Sequence, residues 1–111
     1  MFEMIIEEAL KQAQEVAAKT YELTTFLDEV ARLERARPVE PASAVTYHDS
    51  CAGLRELGIH EQPRALLQRL CNATVSEMNQ TEVCCGFGGT FCAKMPEISA
   101  KMADDKLAHA A

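Results

Sequence analysis

Apolar side chains recur every three or four residues in the first third of the chain, which predicts an amphipathic helical segment over residues 3–33. The recurring positions are Phe2, Ile5, Ile6, Ala9, Ala13, Val16 and Ala17, followed by Leu23, Phe26, Leu27 and Val30. The pattern fits either one helix or two helices joined near Thr20, a candidate N-cap of the second. An apolar helix face of this kind packs on the core of its own domain or docks a partner, and the first is the commoner arrangement.

A proline-containing connector is predicted over residues 37–43, and short β-branched runs then alternate with helical ones. The predicted elements after it are a strand at 44–47, a helical piece at 53–57, a helix starting at Pro63, a strand at 73–78 and a last helix starting at Pro96. A strand-helix-strand order favours parallel strands joined by a right-handed crossover. The predicted fold class is therefore α/β, with a small parallel sheet flanked by helices and an N-terminal helical segment.

The length of 111 residues suits one domain over 1–111, with the α/β part at 44–111. The net charge of −6 and the lack of a basic run argue against a nucleic-acid partner. No apolar stretch is long enough for a membrane span, and the N-terminus lacks a basic signal-peptide start. We therefore expect a soluble cytoplasmic domain.

Five cysteines are the unusual feature of the composition, and they stand at positions 51, 71, 84, 85 and 92. The count is odd, and the spacing does not match a disulfide scaffold. In a cytoplasmic protein such cysteines point to metal binding or redox chemistry rather than to structural disulfides.

The strongest candidate site combines two loops that follow the predicted strands. His48 and Cys51 come after the first strand, and Cys84 and Cys85 come after the second. Because the carboxyl ends of parallel strands share one edge of a sheet, we expect these side chains to converge on a soft metal ion or cluster. Two adjacent thiolates repel each other, and a bound cation makes their proximity favourable.

Other residues near these loops have more than one interpretation. Three glycines let the backbone approach closely and turn N–H groups toward sulfur, namely Gly86, Gly88 and Gly89. His48 either ligates the metal or only orients its loop, and Cys92 is a weaker ligand candidate. Cys71 is expected to be a core thiol. Arg64 either contacts an anionic substrate or partner, or forms an ion pair.

The segments 47–55 and 84–89, which read YHDSCAGLR and CCGFGG, resemble the cysteine-rich CCG domain family. That family includes proteins of heterodisulfide reductase, of glycolate oxidase (its iron–sulfur protein) and of anaerobic glycerol-3-phosphate dehydrogenase. Cys51 matches the first family cysteine, and Cys84 and Cys85 match the pair. The family has a further cysteine later on and usually carries the domain twice. The resemblance therefore implies that this chain is an incomplete second repeat of a longer protein.

The resemblance implies an iron–sulfur cluster, of the 4Fe–4S type, held by Cys51, Cys84 and Cys85. The expected function is electron transfer in the oxidation of a 2-hydroxy acid such as lactate or glycolate, together with other subunits of that complex. One alternative is a binding module stabilised by zinc at His48 and the same three cysteines. A further alternative is a thiol–disulfide redox domain, and a chain of this length could also hold no metal.

Overall fold

The computed structural model describes residues 1–34, 40 and 44–111. The predicted connector at 37–43 lies outside the described residues, except for position 40. The helices, in chain order, are α1 (Phe2–Ala17), α2 (Leu23–Thr25) with a π-helical turn (Phe26–Val30), a second π-helical turn (Ala52–Glu56), α3 (Glu61–Cys71), α4 (Gly89–Lys94) and α5 (Pro96–Ala110). None of these helices is long and apolar enough to cross a membrane.

The predicted small parallel sheet is wrong, because the described part of the chain is helical and forms no strand. The two segments predicted as strands meet at one isolated parallel bridge, between Val45 and Val75. Its hydrogen bond runs from the Ser76 N–H to the Val45 carbonyl over 2.8 Å. A β-branched run favours an extended backbone, but a strand also needs several consecutive backbone pairings with a neighbour. Here the backbone pairing is limited to one bridge.

The N-terminal helical segment is two helices rather than one. Thr20 is not the N-cap of the second, because its hydroxyl donates to the Val16 carbonyl over 2.8 Å. Glu22 takes that role instead, and its carboxylate accepts the Thr25 N–H over 3.0 Å. A carboxylate at this position satisfies a backbone donor that the helix leaves free.

Helix α1 does not pack on the core, contrary to the commoner interpretation of its apolar face. No residue of α1 is buried, and Phe2 is 83% and Ile5 61% exposed. It packs on none of the other helices in the described part of the chain. The amphipathic pattern thus predicted the helix correctly, whereas the prediction that its apolar face packs on the core was wrong.

The small core lies around α3, which packs on α2 and the first π-helical turn. Ile59, Pro63, Leu66 and Ala73 are its buried apolar side chains. Arg69 near the end of α3 donates to the Leu33 carbonyl over 2.7 Å and to Asp28 over 2.8 Å. Helix α4 packs separately on α5, and α4 begins directly after the loop that carries the cysteine pair.

Candidate metal centre

The loop before Cys51 is held by a buried ion pair. Asp49 is 1% exposed, and each of its carboxylate oxygens accepts a hydrogen bond from the Arg64 guanidinium at 2.8 Å. Arg64 also binds Glu77, with its Nη2 donating to Oε2 over 2.9 Å, and lies over the Tyr47 ring at 5.3 Å from the centroid. These bonds from Arg64 hold the pKa of the Asp49 carboxyl below its usual value. Arg64 is therefore ion-paired, and its donors are engaged within the protein.

Cys51 follows this anchored segment and directly precedes the second π-helical turn. Its thiol is free and half-buried, and it makes no capping hydrogen bond. Ser50 provides the side-chain bond at this end, since its hydroxyl accepts the Gly53 N–H over 3.2 Å. The Cys51 sulfur is thus left available as a ligand.

His48 connects the two cysteine-bearing loops. Its Nδ1 lies 3.0 Å from the carbonyl oxygen of Thr81. Because a carbonyl only accepts, Nδ1 is the donor, and in the neutral ring Nε2 keeps its lone pair. His48 stands three residues before Cys51, and Thr81 stands three residues before Cys84. The contact therefore joins two residues that each lie three positions before a cysteine.

The adjacent cysteines lie in a loop that bends back on itself through Gly86. Both thiols are free, with Cys84 exposed and Cys85 half-buried. The Gly86 N–H donates to the Cys84 sulfur over 3.4 Å. Gly86 has φ +79°, and a Cβ there would lie 2.7 Å from the Ser99 carbonyl oxygen. Only glycine fits this close approach to α5.

The other two glycines of the loop have open surroundings. A Cβ at Gly88 or at Gly89 would meet no atom within 4 Å. Gly88 has an extended backbone, whereas Gly89 begins α4 with φ +38°. The backbone conformation therefore favours glycine at both Gly86 and Gly89, whereas lack of space for a Cβ requires it only at Gly86.

Lys106 is a residue of this region that the sequence analysis missed. It is 8% exposed, and its ammonium donates to the carbonyls of Gln80, Thr81 and Val83, the last two over 2.8 and 2.9 Å. The apolar side chains of Ile98 and Leu107 on the same helix are 47% and 68% exposed. A lysine in an amphipathic helix gives no sequence signal for burial, because its charge normally stays in water.

The described residues do not assemble a complete ligand set. They contain no group of three or more His, Cys, Asp or Glu side chains placed to hold a metal ion. Cys92 donates its S–H to the Gly89 carbonyl over 3.2 Å, within the first turn of α4. Cys71 is exposed at the end of α3, so the prediction of a core thiol there is wrong.

The donor chemistry nevertheless fits a soft metal ion or an iron–sulfur cluster. Cys51, Cys84 and Cys85 are free thiols with exposed or half-buried side chains. A backbone N–H directed at a cysteine sulfur, as at Gly86, is the hydrogen bond that adjusts the potential of sulfur-ligated clusters. The described loops thus supply ligands of the right kind, one N–H bond to sulfur and a link between the two segments.

Comparison with known proteins decides the family. The CCG cysteine-rich domain matches residues 45–111. This chain belongs to the cysteine-rich CCG domain family. The family resemblance carried by the two cysteine segments is confirmed, and the matched region contains every residue of the candidate metal centre.

Curated relatives of this CCG domain carry the name Lactate utilization protein A. Those of Shouchella clausii (strain KSM-K16) and Geobacillus thermodenitrificans (strain NG80-2) are each 44% identical over 99 residues, which are 89% of this chain and 41% of the relative. That of Bacillus thuringiensis (strain Al Hakam) is 44% identical over 97 residues, or 87% of this chain and 40% of the relative. The chain thus spans about two fifths of the length of these relatives. No solved structure shows a significant match.

Proposed function

We propose that this CCG domain is an iron–sulfur electron-transfer domain of a system that oxidises lactate or a related 2-hydroxy acid such as glycolate. In this proposal Cys51, Cys84 and Cys85 ligate a 4Fe–4S cluster. The family match and the name of the relatives support the cluster and the substrate class, respectively. Five free thiols agree with a cytoplasmic location.

The observation that carries the proposal is the His48–Thr81 contact. A cluster ligated from two segments 33 residues apart in sequence needs the segments close together, and this bond supports the proposal because it ties the residue three positions before Cys51 to the residue three positions before Cys84. The Gly86 N–H bond to the Cys84 sulfur adds the kind of donor that stabilises a thiolate ligand. Both features involve backbone groups within three residues of a proposed ligand.

A 4Fe–4S cluster takes about four protein ligands, so Cys51, Cys84 and Cys85 need at least one more. Within the chain His48 and Cys92 are the candidates, since Nε2 of His48 keeps a lone pair and Cys92 lies in α4 just beyond the glycines. A Cβ at Gly88 or Gly89 would meet no atom within 4 Å, so these two glycines do not crowd a group bound at the pair. We assign His48 chiefly to holding the loop, because its contact with Thr81 does this directly.

Oxidation of a 2-hydroxy acid to a 2-oxo acid removes two electrons and two protons, with one electron pair leaving the substrate as a hydride. Iron–sulfur clusters accept electrons singly, so a flavin or comparable cofactor on a partner subunit would take the hydride and pass its electrons on. This chain would receive them at the cysteine loop. The proposed partners are therefore the other subunits of such a complex.

The test is anaerobic reconstitution of the chain with ferrous iron and sulfide. We expect a brown protein with broad visible absorption and roughly four irons and four acid-labile sulfides per chain. Cys84→Ser and Cys85→Ser should lower both contents strongly, since serine is a poor cluster ligand. Cys71→Ser is the matched control, because Cys71 lies at the end of α3, outside the two cysteine loops, and should leave both contents unchanged.

Three results would contradict the proposal. A wild-type protein that binds no iron lacks the cluster site. One zinc per chain without labile sulfide indicates a zinc-stabilised module instead. Reactive thiols that bind no metal and cycle between dithiol and disulfide indicate thiol–disulfide chemistry.

A further inference from the structure

Helix α5 buries two polar side chains, Ser99 and Lys106, and both bind the backbone around the cysteine pair. They lie seven residues apart, which places them two turns apart on the same face of the helix. Met102 lies between them on that face. One helix face therefore contacts the chain on both sides of the pair.

The Lys106 ammonium binds the turn that precedes the pair. An ammonium has three N–H donors and no acceptor, and here it contacts three carbonyls, those of Gln80, Thr81 and Val83. One of them, Thr81, is also the acceptor of His48. The turn is thereby fixed both to α5 and to the loop that carries Cys51.

Ser99 binds the backbone that follows the pair. Its hydroxyl donates to the Gly86 carbonyl over 2.8 Å, and this bond is buried. Gly86 itself is pressed against α5, with no room for a Cβ beside Ser99 and Met102. Cys84 and Cys85 thus lie between two polar anchors supplied by the same helix.

Lys106 also brings a positive charge that forms no salt bridge with a carboxylate in the described part of the chain. Its partners are all neutral carbonyls, whereas the adjacent Asp105 pairs with Lys101. Lys106 and Cys84 line one cavity of about 380 Å³, together with Asp105 and His109. A buried ammonium stabilises negative charge placed near it, because the local dielectric screens it less than water does.

We propose that Lys106 is a positioning residue of the metal centre, which holds the 80–86 backbone in place and supplies the positive charge beside the thiolate ligands. Ser99 is its counterpart on the far side of the pair. The role in the centre rests on the proposed function, whereas the ordering of the loop does not. Reduction of a cluster adds negative charge, so the nearby ammonium should favour the reduced state and raise the midpoint potential.

The experiment compares Lys106→Met, Lys106→Arg and Ser99→Ala with the wild type, and uses Lys101→Met as the matched control. Lys101 is an exposed lysine on the same helix. The first readout is hydrogen exchange of the 80–86 peptide in the metal-free protein. The others are the rate at which a chelator removes iron from the reconstituted protein and the midpoint potential.

Lys106→Met should speed hydrogen exchange at residues 80–86. It should also speed iron loss by about 10- to 100-fold, which is the usual effect of losing a group that orients a metal ligand. Its midpoint potential should move to more negative values. Lys106→Arg should restore the potential, because it keeps the charge. Ser99→Ala should speed exchange and leave the potential near that of the wild type. Lys101→Met should change none of the three.

Equal exchange at residues 80–86 in Lys106→Met and the wild type overturns the inference, whether or not the cluster forms. An unchanged potential in Lys106→Met overturns the electrostatic part. If Lys106→Met does not fold, the inference is tested with Ser99→Ala and Lys106→Arg. Hydrogen exchange at residues 80–86 that is equal in Ser99→Ala and the wild type then overturns the inference. A wild-type protein that takes up no iron contradicts the proposed function instead, and the exchange comparison still tests the anchoring.

Discussion

Asp49 and Arg64 form a two-point ion pair in which each carboxylate oxygen lies 2.8 Å from a guanidinium nitrogen. The side chain of Asp49 is fully buried, and that of Arg64 is 12% exposed. The pair joins α3 to the segment that ends in Cys51, two residues after Asp49. A buried contact of this kind makes the position of the first cysteine loop depend on α3.

Replacing Asp49 by alanine should lower the free energy of unfolding by about 3 kcal/mol. Removing one partner of a buried ion pair is strongly destabilising, because it leaves the other charge without its partner. Here Arg64 keeps its contact with Glu77, so we expect a loss of stability at the low end of the range for such substitutions. The measurement is urea denaturation at neutral pH. Asp105→Ala is the control, since Asp105 belongs to an exposed pair on α5, and it should have no measurable effect. An equally small effect at both positions would contradict the role of Asp49.

Glu77 should stabilise the protein in a pH-dependent way. The hydrogen bond from Arg64 holds the pKa of its carboxyl below the usual value of 4.5. The native state therefore binds the proton less readily than the unfolded state, and the stabilisation is present above about pH 4.5 and is lost as the pH falls through the native pKa. We expect the stability difference between the wild type and Glu77→Gln to stay nearly constant from pH 6 to about pH 5 and to shrink as the pH falls further to pH 3. A difference that is constant over this range would rule out the ion pair as its source.

Gly86→Ala should destabilise the protein by about 2 kcal/mol and disturb the cysteine loop. The new Cβ would lie 2.8 Å from Met102 Cβ and even closer to the Ser99 carbonyl, and φ is positive at this position. Gly88→Ala is the matched control in the same loop, because a Cβ there meets no neighbour. Thermal denaturation compares the two variants. Equal melting temperatures would show that the loop does not approach α5 as described.

Two substitutions at His48 distinguish a metal ligand from a residue that orients the loop. His48→Asn can keep a donor near the position of Nδ1 but removes Nε2, whereas His48→Ala removes both. We expect the asparagine variant to hold iron about as well as the wild type and the alanine variant to lose it roughly tenfold faster. The measurement is iron release to a chelator after reconstitution. Equal loss in both variants would indicate that Nε2 is a ligand.

The sequence predicted the helices better than it predicted their packing. Helix α3 with Pro63 in its first turn and α5 beginning at Pro96 follow from local preferences, which depend on neighbouring residues. The apolar faces were less informative. α1 is exposed, and α5 buries Ser99 and Lys106, because burial depends on which surface the rest of the chain presents.

The sequence by itself determined the helices and, through the Cys-Cys-Gly segment and Cys51, the family of the domain. These features are local, and a short run of residue types is enough to specify them. Only the tertiary structure decided that Val45 and Val75 make a single bridge, that Arg64 binds Asp49, and that Lys106 binds the turn before Cys84. These contacts join residues 15 to 30 positions apart, and such pairings depend on how the whole chain packs rather than on the preferences of either residue.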